Sequence, residues 1–345
     1  MFRNYSTRQR GVAAFALAGV LSVGLVACAG SGDSSPPDTA KGPGTDGPEV
    51  QSIMVGQIPA DIYVPLYLGV DQGYFADNGL DVALESLGNG PAGITQLISG
   101  ERQVITTGTQ TVVFAAQQGI ALSLIAETVN QVPGSGTMTI EALADSGIHD
   151  AKDLVGKKVA TLALNGYPTI LANGALADLG VDYKKIEWVE VAPSELGAAL
   201  ERGTVDAVTA WPPIIQNLKS TLGTITVVDM ITKELAGIDR GAYAVSTEWA
   251  KKNPKAVAAF QCGLKKGAEA ANGDSDLTAQ TVIKYTKLPK TIVDSVPQKS
   301  RAVYSTKSEA KTYQLMADMM LEQGLIKKPF DFATATIPFP KSCDK

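Results

Sequence analysis

The sequence predicts an α/β protein of two-domain size, and three observations predict it. Short β-like runs alternate with helical patterns from residue 53 to residue 246, the pattern of α/β units around a parallel sheet. After residue 247 helices follow one another with no strand between them, so that tail must pack on a body already built. The chain has 345 residues, 45% of them hydrophobic, enough to bury a core of two ordinary domains.

The strands are expected at Ile53 to Gln57, Leu80 to Leu87, Gln103 to Thr107, Leu122 to Glu127 and Thr137 to Glu141. A second series is expected at Lys158 to Leu162, Ile186 to Glu190, Ala207 to Thr209, Ile225 to Asp229 and Ala242 to Ser246. Helices fill the gaps, and the tail reads as helices over Thr247 to Asn253, Pro254 to Asn272, Asp274 to Thr286 and Ser305 to Gln323. In the last of these Tyr313, Met316, Met320 and Leu321 form one apolar stripe, the mark of a core face. Two segments, Leu97 to Arg102 and Leu200 to Asp206, each close a helix at a glycine and enter a strand, which suits the left-handed position after a helix and hints at two lobes of similar design.

The first residues read as an export signal. Arg3, Arg8 and Arg10 precede an apolar run from Val12 to Val26, too short for the roughly 20 residues of a spanning helix. Leu25-Val26-Ala27-Cys28 resembles a bacterial lipobox, which implies cleavage after residue 27 and lipidation (palmitate included) of Cys28. Two or more acyl chains hold a protein stably to a membrane. Residues 28–49 are Gly, Ser, Asp, Pro, Thr and Lys with little to bury, and read as a flexible linker with a reach on the order of 25 Å.

Composition excludes several functions. The formal net charge is -5 with no Lys/Arg block, which argues against nucleic acid and against a basic membrane-binding face. The single histidine, His149, lies in a loop with no partner of metal-ligand spacing, and the chain has neither a Gly-x-Ser-x-Gly elbow nor a phosphate-binding Gly-Lys-Ser/Thr loop. No metal or cofactor is expected, and binding is favoured over turnover. Cys262 falls on the polar side of its helix, opposite Val257, Phe260, Leu264, Ala268 and Ala271. In an exported protein Cys343 of the tail is its expected disulfide partner.

Several segments together carry a family resemblance. Pro65-Leu66-Tyr67-Leu68-Gly69, Gln72-Gly73-Tyr74-Phe75 and Gly79-Leu80-Asp81-Val82 come first, then Asp153 to Val159, Pro193 to Leu196 and Gly203 to Trp211. In this order they resemble the substrate-binding proteins of ABC importers for sulfonates, taurine, nitrate and thiamine-pyrimidine precursors, from Ile53 to about Phe260. Gln103 and Pro212 depart from the family pattern, the latter in the pocket wall.

The resemblance implies a periplasmic-binding-protein-like fold: two α/β lobes joined by two crossover segments, with a C-terminal helical extension on lobe I, closing like a hinge on a ligand. Lobe I is expected at 50–142 and 242–345, lobe II at 153–231, and the hinge crossovers at 143–152 and 232–241. The implied function is an extracytoplasmic, lipid-anchored, monomeric receptor that delivers a small solute to a permease and, through it, an ATPase. The same resemblance leaves open an enzyme on this fold, as in pyrimidine-forming and menaquinone-pathway enzymes, and a surface lipoprotein without a transport role.

Open α/β sheets bind ligands beyond the carboxyl ends of their strands, where helix N-termini present free N–H groups. That rule selects Asp61, Tyr63, Asn89, Thr109 and Gln110 in lobe I, and Asn165, Tyr167, Thr169 and Trp211 in lobe II, with Arg240 in the second crossover as the only nearby cation. Asn89, Thr109, Gln110, Asn165 and Thr169 offer neutral hydrogen-bonding groups; Tyr63, Tyr167 and Trp211 offer flat walls. Asp61 reads as a solvated loop carboxylate or a partner for a ligand amine. With so little charge, a small organic monoanion, sulfonate or carboxylate, with an apolar or aromatic portion is the expected ligand.

Overall fold

The computed structural model describes residues 47–87 and 90–344. The export signal, Cys28, most of the linker and Asn89 lie outside the described residues. Among the described residues ten strands form two five-stranded sheets of the same design. The first contains β1 (Ser52–Gln57), β2 (Asp81–Ser86), β3 (Val104–Thr107), β4 (Leu122–Glu127) and β10 (Ala242–Ser246), in the order β2-β1-β3-β10-β4. The second contains β5 (Thr139–Leu143), β6 (Lys158–Thr161), β7 (Glu187–Glu190), β8 (Ala207–Ala210) and β9 (Thr224–Asp229), in the order β7-β6-β8-β5-β9.

The sheets are mixed, not parallel. In each, four strands share one direction and the fifth is inserted antiparallel: β10 between β3 and β4, and β5 between β8 and β9. The inserted strand of each sheet is the one by which the chain arrives from the other lobe. This places Thr139 to Ala142 in the second sheet, so the first connection between sheets is 128–138 and not 143–152; the second is 230–241. The two connections pair with each other. Thr128 N–H donates to the Gly241 carbonyl at 3.0 Å, Gly237 N–H to the Gln131 carbonyl at 2.9 Å, and Met230 N–H to the Met138 carbonyl at 2.9 Å.

Helices α1 (Val64–Asp71), α2 (Gly90–Ser99) and α3 (Thr109–Gln117) serve the first sheet, and α4 (Tyr167–Asp178), α5 (Leu196–Glu201) and α6 (Ile214–Leu222) the second. The tail contributes α7 (Thr247–Lys252), α8 (Pro254–Gly273), α9 (Ser275–Thr286), α10 (Lys290–Asp294) and α11 (Ala310–Glu322). The last helix starts five residues later than its periodicity suggests. Residues 303–307 run alongside the first connection instead, because Asn130 N–H donates to the Val303 carbonyl at 3.1 Å and Ser305 N–H to the Thr128 carbonyl at 3.0 Å, around an isolated bridge between Val129 and Tyr304.

Two glycines let α8 lie against α1. A Cβ on Gly267 would stand 2.9 Å from the Pro65 carbonyl carbon and closer still to its oxygen, and Gly263 faces the Phe75 ring, which stacks on Phe260 at 5.0 Å. Helix α11 buries Tyr313, Met316 and Met320, packs on both α3 and α4, and donates Gln323 Nε2 to the Ile170 carbonyl at 2.8 Å.

Cys262 is buried, not on a solvated face, because the C-terminal tail covers that side of α8; Cys262 and Cys343 form a disulfide that closes 81 residues. The tail has a structural task. Leu124 N–H donates to the Ala335 carbonyl and Ile337 N–H to the Leu124 carbonyl, both at 2.8 Å, so the outer edge of β4 is paired and not left open. Gln261 Nε2 joins the Ile125 and Ile337 carbonyls at 2.7 and 2.9 Å.

Candidate ligand-binding site

The carboxyl ends of β1, β3, β6 and β8 carry the loops that lead into α1, α3, α4 and α6, and the pairing of the two connections brings an acid to their midst. Asp239, 1% exposed, accepts hydrogen bonds from Thr109 Oγ1 at 3.2 Å, Thr128 N at 3.1 Å and Thr128 Oγ1 at 3.3 Å. Burial raises its pKa well above the ordinary carboxylate value, and the charge of Glu127 adds to the effect. Glu127 is buried as well, held by Ser305 Oγ at 2.8 Å and Glu309 N–H at 2.9 Å, and burial raises its pKa too. The sequence reading missed Asp239. The available signal was its place beside Arg240 in the second connection.

Thr109 and Gln110 open α3, and Tyr167 opens α4. The residues before them, Gly108 and Gly166, have extended backbone and no side-chain cap, so each helix presents its first turn uncapped. Gln110 Oε1 is buried with no hydrogen-bond partner, and Tyr167 OH is buried with no hydrogen bond of close geometry. Burial raises the Tyr167 phenol strongly, with the Asp239 charge pushing the same way and a loose hydrogen-bond contact with Gln131 and the Arg240 charge opposing. Gln131 Nε2 is likewise buried with no hydrogen bond of close geometry, while its Oε1 accepts from Thr137 Oγ1 at 2.6 Å. A buried polar atom without a partner costs about 1 to 3 kcal/mol, so a cluster of them marks a place where a polar partner is missing.

Tyr63 is buried edge-on to Tyr243 with ring centroids 5.8 Å apart; burial is the main cause that raises its phenol, and a hydrogen bond with Thr106 opposes it. Trp211 is half-buried against the main core, and Asn165 is exposed on the loop before α4. Asp61 is 29% exposed and paired with Arg240 at 3.2 Å. That pairing corrects two expectations: the Asp61 carboxylate is not simply solvated, and the Arg240 cation is already engaged. Thr169 uses its hydroxyl within its own loop, donating to the Ala163 carbonyl at 2.6 Å and meeting Thr161 Oγ1 at 2.7 Å. His149 is exposed, as a loop residue should be. Thr109 thus bonds Asp239, Tyr63 from the first sheet's side and Tyr167 from the second's both feel its charge, and its chain neighbour Arg240 pairs with Asp61.

Among the described residues no helix is long and apolar enough to cross a membrane. Residues 62–276 match the model of a family described as NMT1/THI5 like. The chain is 22% identical over 191 residues to the taurine-binding periplasmic protein of Escherichia coli, covering 55% of this chain and 57% of that one. Its fold matches the periplasmic aliphatic sulphonate binding protein SsuA from Escherichia coli with a TM-score of 0.70 and 19% identity, over 83% of this chain and 92% of that one. It also matches the periplasmic nitrate-binding protein NrtA from Synechocystis PCC 6803 with a TM-score of 0.69 and 14% identity, over 84% and 87% of the two chains.

Proposed function

This chain belongs to the NMT1/THI5-like family, and from that premise we propose that it is the solute-binding receptor of an ABC importer. In this reading it is exported, anchored through lipidated Cys28, and works as a monomer that hands its solute to a membrane permease. It binds and does not catalyse. The relatives above are named for binding sulphonate, taurine and nitrate. The solute we assign is a small organic monoanion, sulfonate or carboxylate, with an apolar portion, held between the lobes at the uncapped starts of α3 and α4.

One observation carries the proposal. Gln110 Oε1 at the start of α3 is buried without a partner, and Tyr167 OH at the start of α4 is buried with only a loose contact to Gln131 and near enough to Asp239 to feel its charge. A solute that meets both would tie the lobes together, which is how a hinge protein reports that it is loaded. Asn165 and Trp211 stand at the edge of the same cleft and would touch the solute as it closes.

A thermal-shift panel of alkane and aryl sulfonates, taurine, aromatic carboxylates, nitrate and pyrimidines tests the reading. Solute at a hundredfold its dissociation constant adds about 2.7 kcal/mol to stability. A clear shift with the sulfonates or carboxylates supports the proposal. A flat response to every compound, or product formation from any of them, overturns it.

A further inference from the structure

Beside Asp61, adjacent to the cleft, lies a cavity of about 70 Å³ that the strand-end rule does not select. One wall is the Pro212–Pro213 pair, joined by a cis peptide bond, which follows β8 of the second lobe. The other is the tail: Val282 of α9, Leu288, Val293 of α10 and Val296. Most of the lining surface is apolar, although Asp61, Ser275, Thr278, Ser300 and Arg301 also contribute to it. By the measure in which one water takes about 10 to 15 Å³, the space admits a group of roughly five heavy atoms.

We propose that this cavity is the subsite for the solute's apolar portion, and that the tail segment from α9 to Tyr304 thereby sets which solutes are accepted. The assignment rests on the receptor reading above and extends it. Three relations support it. The cavity is adjacent to the cleft, since Asp61 lines it and pairs with Arg240, the neighbour of Asp239. Its two walls come from different parts of the molecule, one on the second lobe and one on the tail, so filling it draws them together. The tail wall is fastened to the hinge: Tyr304 bridges Val129 in the first connection, and its hydroxyl donates to the Asp61 carbonyl at 2.9 Å. An apolar group lodged against Pro212 and Val293 would leave an anionic head directed along Asp61 toward the starts of α3 and α4.

The test is calorimetric titration of the protein with n-alkanesulfonates from methane- to octanesulfonate. In the wild type, affinity rises about fourfold per methylene, the equivalent of about 0.8 kcal/mol, until the cavity is full, and then levels off. Ala279→Phe, which puts a ring into the cavity from α9, should abolish the rise and leave methanesulfonate affinity unchanged; Val293→Ala should move the plateau to a longer chain. Identical chain-length profiles in wild type and both variants, with short sulfonates still bound, overturn the subsite and leave the receptor reading standing. Binding of no sulfonate, and of none of the carboxylates titrated beside them, by the wild type overturns both.

Discussion

Thr109 Oγ1 donates to Asp239 Oδ2 at 3.2 Å, a contact between residues 130 positions apart that ties the start of α3 to the second connection. The acid at its centre is buried and binds its proton more tightly folded than unfolded. Stability should therefore be greatest in acid and fall as pH rises from about 4, the unfolded value, through the raised folded value. Asp239→Asn should flatten the dependence and be at least as stable as the wild type at pH 8. Melting temperatures at pH 5 and pH 8 check this; a variant that is several degrees less stable at pH 8 and keeps the wild-type slope contradicts it.

Tyr167→Phe removes a buried hydroxyl whose contact with Gln131 is only a loose one. Unfolding free energy should change by less than about 0.5 kcal/mol or rise slightly, whereas solute affinity should fall about tenfold, the usual effect of losing one hydrogen bond to a charged group. Urea titration and calorimetry on the same sample separate the two effects. Lost stability with unchanged affinity would place the hydroxyl in the scaffold and not in the site.

The Cys262–Cys343 bridge holds the tail that covers the edge of β4. Closing a loop of 81 residues stabilises by at most about 4.5 kcal/mol on the chain-entropy estimate. Cys343→Ser should lower the melting temperature by several degrees, and reductant should do the same to the wild type. Two titratable thiols in the unreduced described body would show that the bridge is absent.

Gly267 sits where α8 meets the Pro65 backbone with no room for a Cβ. Gly267→Ala should cost about 1 to 3 kcal/mol through overpacking, against the gain expected for alanine in an exposed helix. Denaturant unfolding measures it, and a stabilised variant would mean that the helices can part without penalty.

The positions of all ten strands were legible in the alternation of β-like runs and helical stretches, because short buried strands bounded by glycine turns leave a local signature. Their direction was not. Whether β5 and β10 insert antiparallel depends on which sheet the chain enters after each crossing, a long-range fact with no local mark. The non-helical run at Val303–Lys307 was hidden for the same reason: Ser305 and its neighbours have ordinary helix-compatible chemistry and are recruited by hydrogen bonds from Thr128 and Asn130. In the site, the loops after β1, β3 and β6 could be named from the strand-end rule, but which side chains face inward could not. Thr169 and Thr109 have the same residue type at the start of similar helices, and only the packing turns one to Ala163 and the other to Asp239.

The central claim is that a solute bound between the lobes closes them, and the distance between spin labels at Gln118 of the first lobe and Ser220 of the second tests it most directly. At a saturating concentration of the solute that gives the largest thermal shift, the distance distribution should move and narrow, and Tyr167→Phe should require more solute to reach the same state. A distribution unchanged at saturation would mean that the lobes do not sense the solute, and would contradict the receptor account.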